Sequence, residues 1–181
     1  MEQLILVNER DEEIGSGEKL QVHREGRLHR AFSIFVFDSG NRLLLQKRAA
    51  TKYHSGGLWS NTCCGHPRPG ETTEGAAHRR LREEMNFDCE LRLSSSFIYR
   101  AELGGDLTEW EYDHILIGRY DAAPRPDTSE VADWQWLDVG ELRARIEEQP
   151  DEFTYWLKMA LDKLNLSADT ASAGVKSLNQ R

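Results

Sequence analysis

The sequence has few of the features that mark secreted or membrane-inserted proteins. Its 181 residues include only three cysteines, Cys63, Cys64 and Cys89, two of which are neighbours in the chain. This number cannot form a complete set of internal disulfides, so free thiols or a catalytic thiol are expected. The longest apolar runs, around Phe35–Phe37 and Leu43–Leu45, fall far short of the ~20 residues that a membrane span needs. The first residues lack the basic start and apolar stretch of a secretory signal. We therefore expect a cytoplasmic protein with no membrane partner.

A surplus of positive charge is also missing. Lys and Arg together number 23 against 31 Asp and Glu, which gives a formal net charge of −8. Non-specific binding of nucleic acids or of anionic membrane surfaces depends on clustered positive charge. We expect neither of these partners, and an anionic ligand would need a local basic pocket or a bridging metal ion.

The length and the apolar pattern predict one compact domain that combines strands and helices. A chain of 181 residues falls within the ~100–200 residues common for a single domain. Alternating apolar residues between turn signals indicate strands, and spacings of three and four residues indicate helices. The predicted strands are Leu4–Val7, Ala31–Phe37, Leu43–Lys47, Trp59–Cys64, Phe97–Glu102, Glu109–Tyr120 and Trp134–Leu137. The predicted helices are Glu74–Met85 with Thr73 as its cap, a short helix from Asp138 to Ile146, and Glu152–Leu166.

This order of elements predicts an α/β or α+β fold with a mixed sheet. The domain is expected to cover residues 1–166, followed by a flexible polar tail over residues 167–181. The polar segment that contains Gly15 and Gly17 is expected to be a loop.

The segment around two adjacent cysteines carries the first candidate site. On an extended segment, Cys64 and His66 are two residues apart and point to the same side, whereas Cys63 points to the other. A thiol and an imidazole that face one space can bind a metal ion or transfer protons. A buried cysteine beside a loop histidine is the alternative interpretation.

Three histidines and two glutamates form a candidate metal site. Glu109 and Glu111 flank Trp110 on a predicted strand, and two like charges on one face are costly unless a cation lies between them. A solvated strand face is the alternative. His23 and His29 flank Gly26 in a predicted loop. Together with His66, this set suits a six-coordinate divalent ion such as Mn²⁺ or Mg²⁺, or Zn²⁺ in an expanded geometry.

The predicted helix after Gly65 carries a family motif. Gly65, Glu71 and the run Arg79-Arg80-Leu81-Arg82-Glu83-Glu84-Met85-Asn86-Phe87 resemble the Nudix box, G-x5-E-x7-R-E-U-x-E-E-x-G-U, with U a bulky apolar residue. That family uses this loop and helix to hold Mg²⁺ on a diphosphate. Arg80 replaces the first helical glutamate of the box, which weakens the interpretation as a Nudix hydrolase. Asn86 replaces its glycine, and asparagine also tolerates the left-handed conformation at a helix end. An amphipathic helix with Arg79–Glu83 and Arg80–Glu84 ion pairs is the alternative.

Together these motifs resemble one branch of that superfamily, the type 1 isopentenyl-diphosphate Δ-isomerases. The resemblance runs from Leu4 to about Leu166 and includes the segments Arg27–Phe32, Asn61–Glu71 and Glu109–Glu111. It implies a Nudix-like mixed sheet sandwiched by helices. It also implies an isomerase of isoprenoid biosynthesis that interconverts isopentenyl and dimethylallyl diphosphate.

The resemblance also implies a role for each matching residue. Cys64 and Glu111 would be the catalytic pair, with Tyr99 hydrogen-bonded to Glu111, and Trp156 would stabilise a carbocation through its π face. Glu84 and the backbone carbonyl of Cys64 would hold Mg²⁺ on the substrate. The Mn²⁺ or Zn²⁺ ligands would be His23, His29, His66, Glu109 and Glu111, and the diphosphate contacts would be Lys19, Arg48, Lys52 and Arg80.

No organic cofactor is expected, and the partner is a small-molecule diphosphate bound by a monomer or weak homodimer. A Nudix diphosphohydrolase is the second hypothesis and would need a carboxylate at position 80. A non-catalytic metal-dependent binding module is the third, and it would not require Cys64 opposite a carboxylate pair.

Overall fold

The computed structural model describes residues 2–52 and 54–164. Within these residues, nine strands form one mixed sheet with four α-helices around it. The strands are β1 (Gln3–Val7), β2 (Glu13–Glu18), β3 (His29–Phe37), β4 (Leu43–Arg48), β5 (Trp59–Ser60), β6 (Cys63–Gly65), β7 (Leu91–Gly104), β8 (Leu107–Arg119) and β9 (Val131–Leu137). The helices are α1 (Lys19–Glu25), α2 (Thr73–Met85), α3 (Val139–Glu148) and α4 (Tyr155–Leu161), with a 3₁₀ turn at Pro150–Glu152. The predicted tail, residues 167–181, and the predicted helix end at Leu166 lie outside the described residues.

The sheet has helices on both faces, because alternate residues of its central strands point to opposite sides. Phe35 and Phe37 of β3 pack in one apolar cluster with residues of α3 and α4. Phe32, Ile34 and Val36 of the same strand pack in a second cluster with residues of α2. The predicted mixed sheet between helices is therefore confirmed.

The predicted strand over 59–64 is divided in two by inward-facing polar side chains. β5 pairs with β4, whereas β6 pairs with β3. Between them, the hydroxyl of Thr62 accepts from the amide of Val36 at 2.9 Å and donates to the carbonyl of Leu44 at 2.7 Å. These bonds satisfy backbone groups of both neighbouring strands at the point where the chain crosses from one to the other.

Three further local predictions are wrong. The segment around Gly15 and Gly17 is strand β2, held antiparallel to β1 at an exposed edge. Thr72, and not Thr73, caps α2, because its hydroxyl accepts from the amide of Gly75 at 3.1 Å. The last helix begins at Tyr155, after the separate 3₁₀ turn at Pro150–Glu152.

None of the helices within residues 2–52 and 54–164 is long and apolar enough to cross a bilayer.

Candidate active site

Most of the residues predicted to carry chemistry line a single cavity of about 210 Å³. They come from α1, β4 and the loop after it, β6, α2, β7, β8 and α4, so segments far apart in sequence converge there. The predicted residues in this lining are Lys19, Arg48, Lys52, Cys64, His66, Arg80, Glu84, Tyr99, Glu109, Glu111 and Trp156.

Strand pairing places Glu111 at the centre of the site. β8 runs parallel to β3, with His29 opposite Glu111, and antiparallel to β7, with Tyr99 opposite Glu111. Glu109 lies two residues away on the same face, and both glutamates are buried, at 4% and 6% exposure. The alternative of a solvated strand face is therefore wrong.

Four of the five predicted Mn²⁺ or Zn²⁺ ligands form a cluster. Donor atoms of His23, His29, His66 and Glu111 all lie within 4.8 Å of one another. Oε1 of Glu111 is 2.9 Å from Nε2 of His66 and 3.4 Å from Nε2 of His29. His23 reaches this cluster from α1, and not from the predicted loop, because the helix extends to Glu25 and ends at Gly26 in a left-handed conformation, φ 59°.

The chemistry of these donors fits a divalent metal ion. Nδ1 of His23 lies 2.7 Å from the carbonyl of Lys19, and Nδ1 of His29 lies 2.9 Å from that of Arg27. A ring nitrogen bonded to a carbonyl carries the proton, so Nε2 of each ring presents a lone pair. Burial lowers the pKa of His23, and it lowers that of His66 to about 4. Neutral imidazoles beside a carboxylate are the donor set that Mn²⁺ or Zn²⁺ accepts.

The fifth predicted ligand, Glu109, is adjacent to this cluster but not within it. Its Oε1 lies 3.6 Å from Nε2 of His54, and its Oε2 lies 3.1 Å from the hydroxyl of Tyr99. Burial and the nearby charge of Glu111 raise the pKa of Glu109. Burial acts in the same direction on Glu111, but hydrogen bonds with His29 and His66 outweigh it and lower the pKa of that group. Glu109 therefore holds a proton more strongly than Glu111 does.

The hydroxyl of Tyr99 joins the two carboxylates. It lies 2.6 Å from Oε2 of Glu111, a short distance typical of a hydroxyl that donates to a charged oxygen. Burial and the two glutamates raise its pKa well above the ordinary value. Tyr99 therefore keeps its proton and can donate a hydrogen bond to the carboxylate of Glu111.

The two cysteines of β6 face opposite sides of the strand, as predicted. Cys63 is completely buried in the cluster against α2. Cys64 lines the cavity and packs beside Tyr99 and Trp156. Burial, together with the charge of Glu84, raises the pKa of the Cys64 thiol to about 12, although the guanidinium of Arg48 acts in the opposite direction. In this environment the thiol is protonated.

Trp156 forms an aromatic wall of the cavity. Its Nε1 donates to the hydroxyl of Ser60 at 2.9 Å, which fixes the ring. The guanidinium of Arg48 lies 5.1 Å from the ring centroid, within the range of a cation–π contact. The ring can therefore face a positive charge.

The other end of the cavity carries a cluster of alternating charges. Arg80 pairs with Glu84, and Gln46 donates to the other oxygen of Glu84 at 2.9 Å. Lys52 contacts Glu130, and Lys19 donates to Glu2 at 2.8 Å. The Arg80–Glu84 pair exists, but Glu84 is buried at 3% exposure, so it is not part of a solvated helix surface.

Three titratable residues of the cavity lining were not predicted: Glu2, His54 and Glu130. His54 also lies against Trp156, with ring centroids 5.8 Å apart, and burial lowers its pKa to about 3. His54 lies two residues after Lys52, which was predicted to contact the diphosphate. This proximity was a signal that His54 could also reach the site. Nothing in the local pattern around Glu2 or Glu130 distinguishes them from other surface acids.

The chain matches one protein family and is similar to several of its members. The NUDIX domain family matches residues 27–157. The chain is 57% identical over 162 residues to isopentenyl-diphosphate Delta-isomerase 2 of Photorhabdus laumondii, covering 90% of this chain and 92% of the relative. It is 54% identical over 165 residues to isopentenyl-diphosphate Delta-isomerase of Burkholderia multivorans, covering 91% and 94% respectively.

Solved structures support the same fold. The crystal structure of DR0079 from Deinococcus radiodurans superposes with a TM-score of 0.77 at 26% identity, covering 91% of this chain and 99% of that one. MutT protein from Methanosarcina mazei superposes with a TM-score of 0.62 at 12% identity, covering 80% and 96%, a likeness of fold alone.

Proposed function

The chain belongs to the NUDIX domain family and, within it, to the isopentenyl-diphosphate Delta-isomerases, and from this membership we propose that it interconverts isopentenyl diphosphate and dimethylallyl diphosphate. One observation in the site carries the proposal. Cys64 and the Glu111–Tyr99 pair line the same cavity beside Trp156. A 1,3-shift of a double bond needs one group that donates a proton and another that accepts one, and this arrangement offers both.

The diphosphate is held by the charged end of the cavity in this proposal. Lys19, Arg48, Lys52 and Arg80 contact its oxygens, since charge-assisted bonds to phosphate are stronger than neutral ones. Glu84 and the backbone carbonyl of Cys64 would hold Mg²⁺, which supplies positive charge to the diphosphate. These side chains together with Mg²⁺ would supply the positive charge that a strongly anionic substrate needs in a protein of net charge −8.

Proton addition to the terminal carbon of the substrate is assigned to Glu111. Its carboxyl group accepts a short hydrogen bond from Tyr99, which orients the oxygen and can relay the proton. His23, His29, His66 and Glu109 would hold Mn²⁺ or Zn²⁺ with Glu111, and the metal ion would increase the acidity of the carboxyl group. Protonation of the alkene generates a tertiary carbocation on the substrate.

Removal of the second proton, from the carbon next to the diphosphate-bearing one, is assigned to Cys64. When the substrate binds, the proton that the Cys64 thiol holds at rest is transferred to the Glu111 carboxylate in this proposal, which leaves a carboxylic acid to donate one proton and a thiolate to accept the other. The substrate cation stabilises this thiolate, because opposite charges in a dry cavity attract strongly. The face of Trp156 stabilises the same cation by about 2 kcal/mol when water is excluded. In the reverse direction, Cys64 and Glu111 exchange roles.

A Nudix diphosphohydrolase is the competing function. It is disfavoured because Arg80 stands where the hydrolase box has a carboxylate, and a guanidinium binds phosphate oxygens but holds neither a metal ion nor a water nucleophile. The cytoplasmic location and the monomer or weak homodimer expected from the sequence remain predictions.

The deciding experiment is incubation of the purified protein with isopentenyl diphosphate and Mg²⁺, followed by identification of the products. We expect dimethylallyl diphosphate with the diphosphate intact. Release of phosphate or diphosphate would contradict the proposal in favour of hydrolysis, and recovery of unchanged substrate would favour a binding module.

A further inference from the structure

The carboxylate of Glu130 lies between two cations at the diphosphate end of the cavity. Its Oε2 contacts the ammonium group of Lys52 and lies 3.6 Å from Nη2 of Arg80. The same two cations face Glu84, which is paired with Arg80 and lies 4.0 Å from Nζ of Lys52. Glu130 thus adds a second negative charge to two cations that Glu84 already contacts.

Backbone hydrogen bonds hold Glu130 in this place. Its carbonyl accepts from the amide of Ala49 at 2.9 Å, and its amide donates to the carbonyl of Asp127 at 3.0 Å. The amide of Asp127 donates in turn to the carbonyl of Glu84 at 2.9 Å. The segment is therefore tied both to α2, which carries Arg80, and to the chain that leads into Lys52.

The charge of Glu130 affects the binding of anions at this end of the cavity. Two cationic side chains at this end of the cavity, Lys52 and Arg80, face two carboxylates, Glu84 and Glu130. The cations therefore provide no surplus of positive charge for an entering anion. Any phosphate that binds Lys52 and Arg80 must compete with the carboxylate already between them.

We infer, resting on the proposed function, that Glu130 is an internal counter-anion that the diphosphate displaces from Lys52 and Arg80, and that it discriminates against monophosphates. A diphosphate has two phosphoryl groups and brings Mg²⁺, so it can replace the contacts of both cations and offset the charge of Glu130. A monophosphate carries less charge and fewer oxygens, and cannot compensate for a carboxylate left beside it. Glu130 is thus a specificity-determining residue that favours Mg²⁺-bound diphosphates by weakening the binding of smaller anions.

The test compares Glu130→Gln with wild type by calorimetric titration, using inorganic phosphate and, separately, inorganic diphosphate with Mg²⁺. Glutamine keeps the size of the side chain and removes its charge. We expect phosphate to bind about tenfold more tightly to Glu130→Gln, the effect of about 1.4 kcal/mol of relieved repulsion. The affinity for diphosphate with Mg²⁺ should increase by a smaller factor. The dissociation constant of phosphate divided by that of diphosphate should therefore be lower in Glu130→Gln than in wild type. Weaker or unchanged phosphate binding would overturn the inference.

Glu83→Gln is the matched control. Glu83 also accepts from Arg80, at 2.7 Å, but its side chain is 40% exposed, and it is not among the residues that line the cavity. Loss of its charge should change phosphate binding by less than about twofold, because solvent screens an exposed pair. An equal gain in both variants would mean that Arg80 simply binds anions better without a partner, and would overturn the specific role of Glu130.

The outcome is separable from that of the proposed function. Titrations with inorganic anions need no turnover, so they decide the role of Glu130 even if isopentenyl diphosphate is not isomerised. If Glu130→Gln does not fold, Glu130→Asp withdraws the carboxylate by one methylene and should change phosphate affinity in the same direction by a smaller factor. An Asp variant that binds phosphate less tightly than wild type would overturn the inference.

Discussion

Cys63 and Cys64 are neighbours whose environments differ completely. Cys63 is buried in the apolar cluster beneath α2, whereas Cys64 opens to the cavity. We predict that Cys64→Ala lowers kcat by about 10²–10⁴-fold, the usual contribution of a group that transfers a proton. Cys63→Ala should keep most of its turnover and lose about 1 kcal/mol of stability through the atom removed from the core. Steady-state kinetics and urea unfolding of both variants check this, and near-normal turnover in Cys64→Ala would contradict the role of that thiol.

Glu111 is assigned two roles, metal ligand and proton carrier, and Glu111→Gln separates them. Glutamine keeps one oxygen for the metal ion but cannot ionise. We predict that turnover stays reduced by several orders of magnitude even when added Mn²⁺ has filled the site, because the other donors still bind the ion and protonation of an alkene has no easy substitute.

The measurement must be made on one sample. Metal content and turnover of the same Glu111→Gln preparation show whether the site is full when activity is lost. Activity that recovers as Mn²⁺ is raised would mean that the carboxylate chiefly holds the metal ion. In that case Tyr99, 2.6 Å away, becomes the next candidate for proton transfer.

At the residue scale, the sequence identified those cavity residues that belong to a recognisable motif. Cys64, Glu84 and Glu111 could be found because strand alternation and the box spacing place them on defined faces. His54 and Glu130 could not, because they reach the cavity only through loop conformations and long-range backbone bonds, such as that between Ala49 and Glu130.

At the scale of secondary structure, the position that departs from the glycine of the box shows how a local substitution is tolerated. Asn86 follows α2 in a left-handed conformation, φ 55° and ψ 31°, as expected. Its side chain also donates to the carbonyl of Arg125 at 2.8 Å. The amide of asparagine thus supplies a tertiary contact that glycine would lack.

We predict that Asn86→Ala lowers the free energy of unfolding by about 1–2 kcal/mol, because alanine tolerates the left-handed region poorly and loses the hydrogen bond. Asn86→Gly should lie within about 1 kcal/mol of wild type, since it exchanges the hydrogen bond for conformational freedom. Urea unfolding of the two variants gives the comparison. Equal stability of Asn86→Ala and wild type would show that the conformation at this helix end is not constrained.

The strands and helices missed by the sequence analysis share one physical property. Strand β2 is exposed over most of its length and helix α1 has only seven residues, so neither shows a long apolar periodicity. Both are stabilised by flanking parts of the chain. Strand β2 pairs with β1, and α1 is capped by Glu18 at its start and by Gly26 at its end. The longer β3, β8 and α2 were predicted well because each has a buried face of its own.

At the scale of the whole molecule, the candidate metal centre is separate from what holds the sheet together. The two large apolar clusters lie on opposite faces of the sheet and contain none of the clustered histidines. The four clustered donors come instead from α1, β3, β8 and the residue that follows β6. A bound ion would therefore connect segments of a fold that is already packed.

We accordingly predict that the protein folds without metal and is stabilised further by it. Mn²⁺ at about 100 times its dissociation constant should add about 2.7 kcal/mol, which corresponds to a rise in Tm of roughly 5–10 °C for a domain of this size. His66→Ala should remove most of this rise, because it takes one donor from the cluster.

His78→Ala is the matched control, since His78 lies on the outer side of α2 against Asp88 and should leave the rise unchanged. Thermal unfolding of the three proteins after chelation and after addition of Mn²⁺ measures the effect. A rise in His66→Ala equal to that of wild type would place the ion elsewhere, and a chelated protein without a cooperative transition would mean that the apolar clusters alone do not maintain the fold.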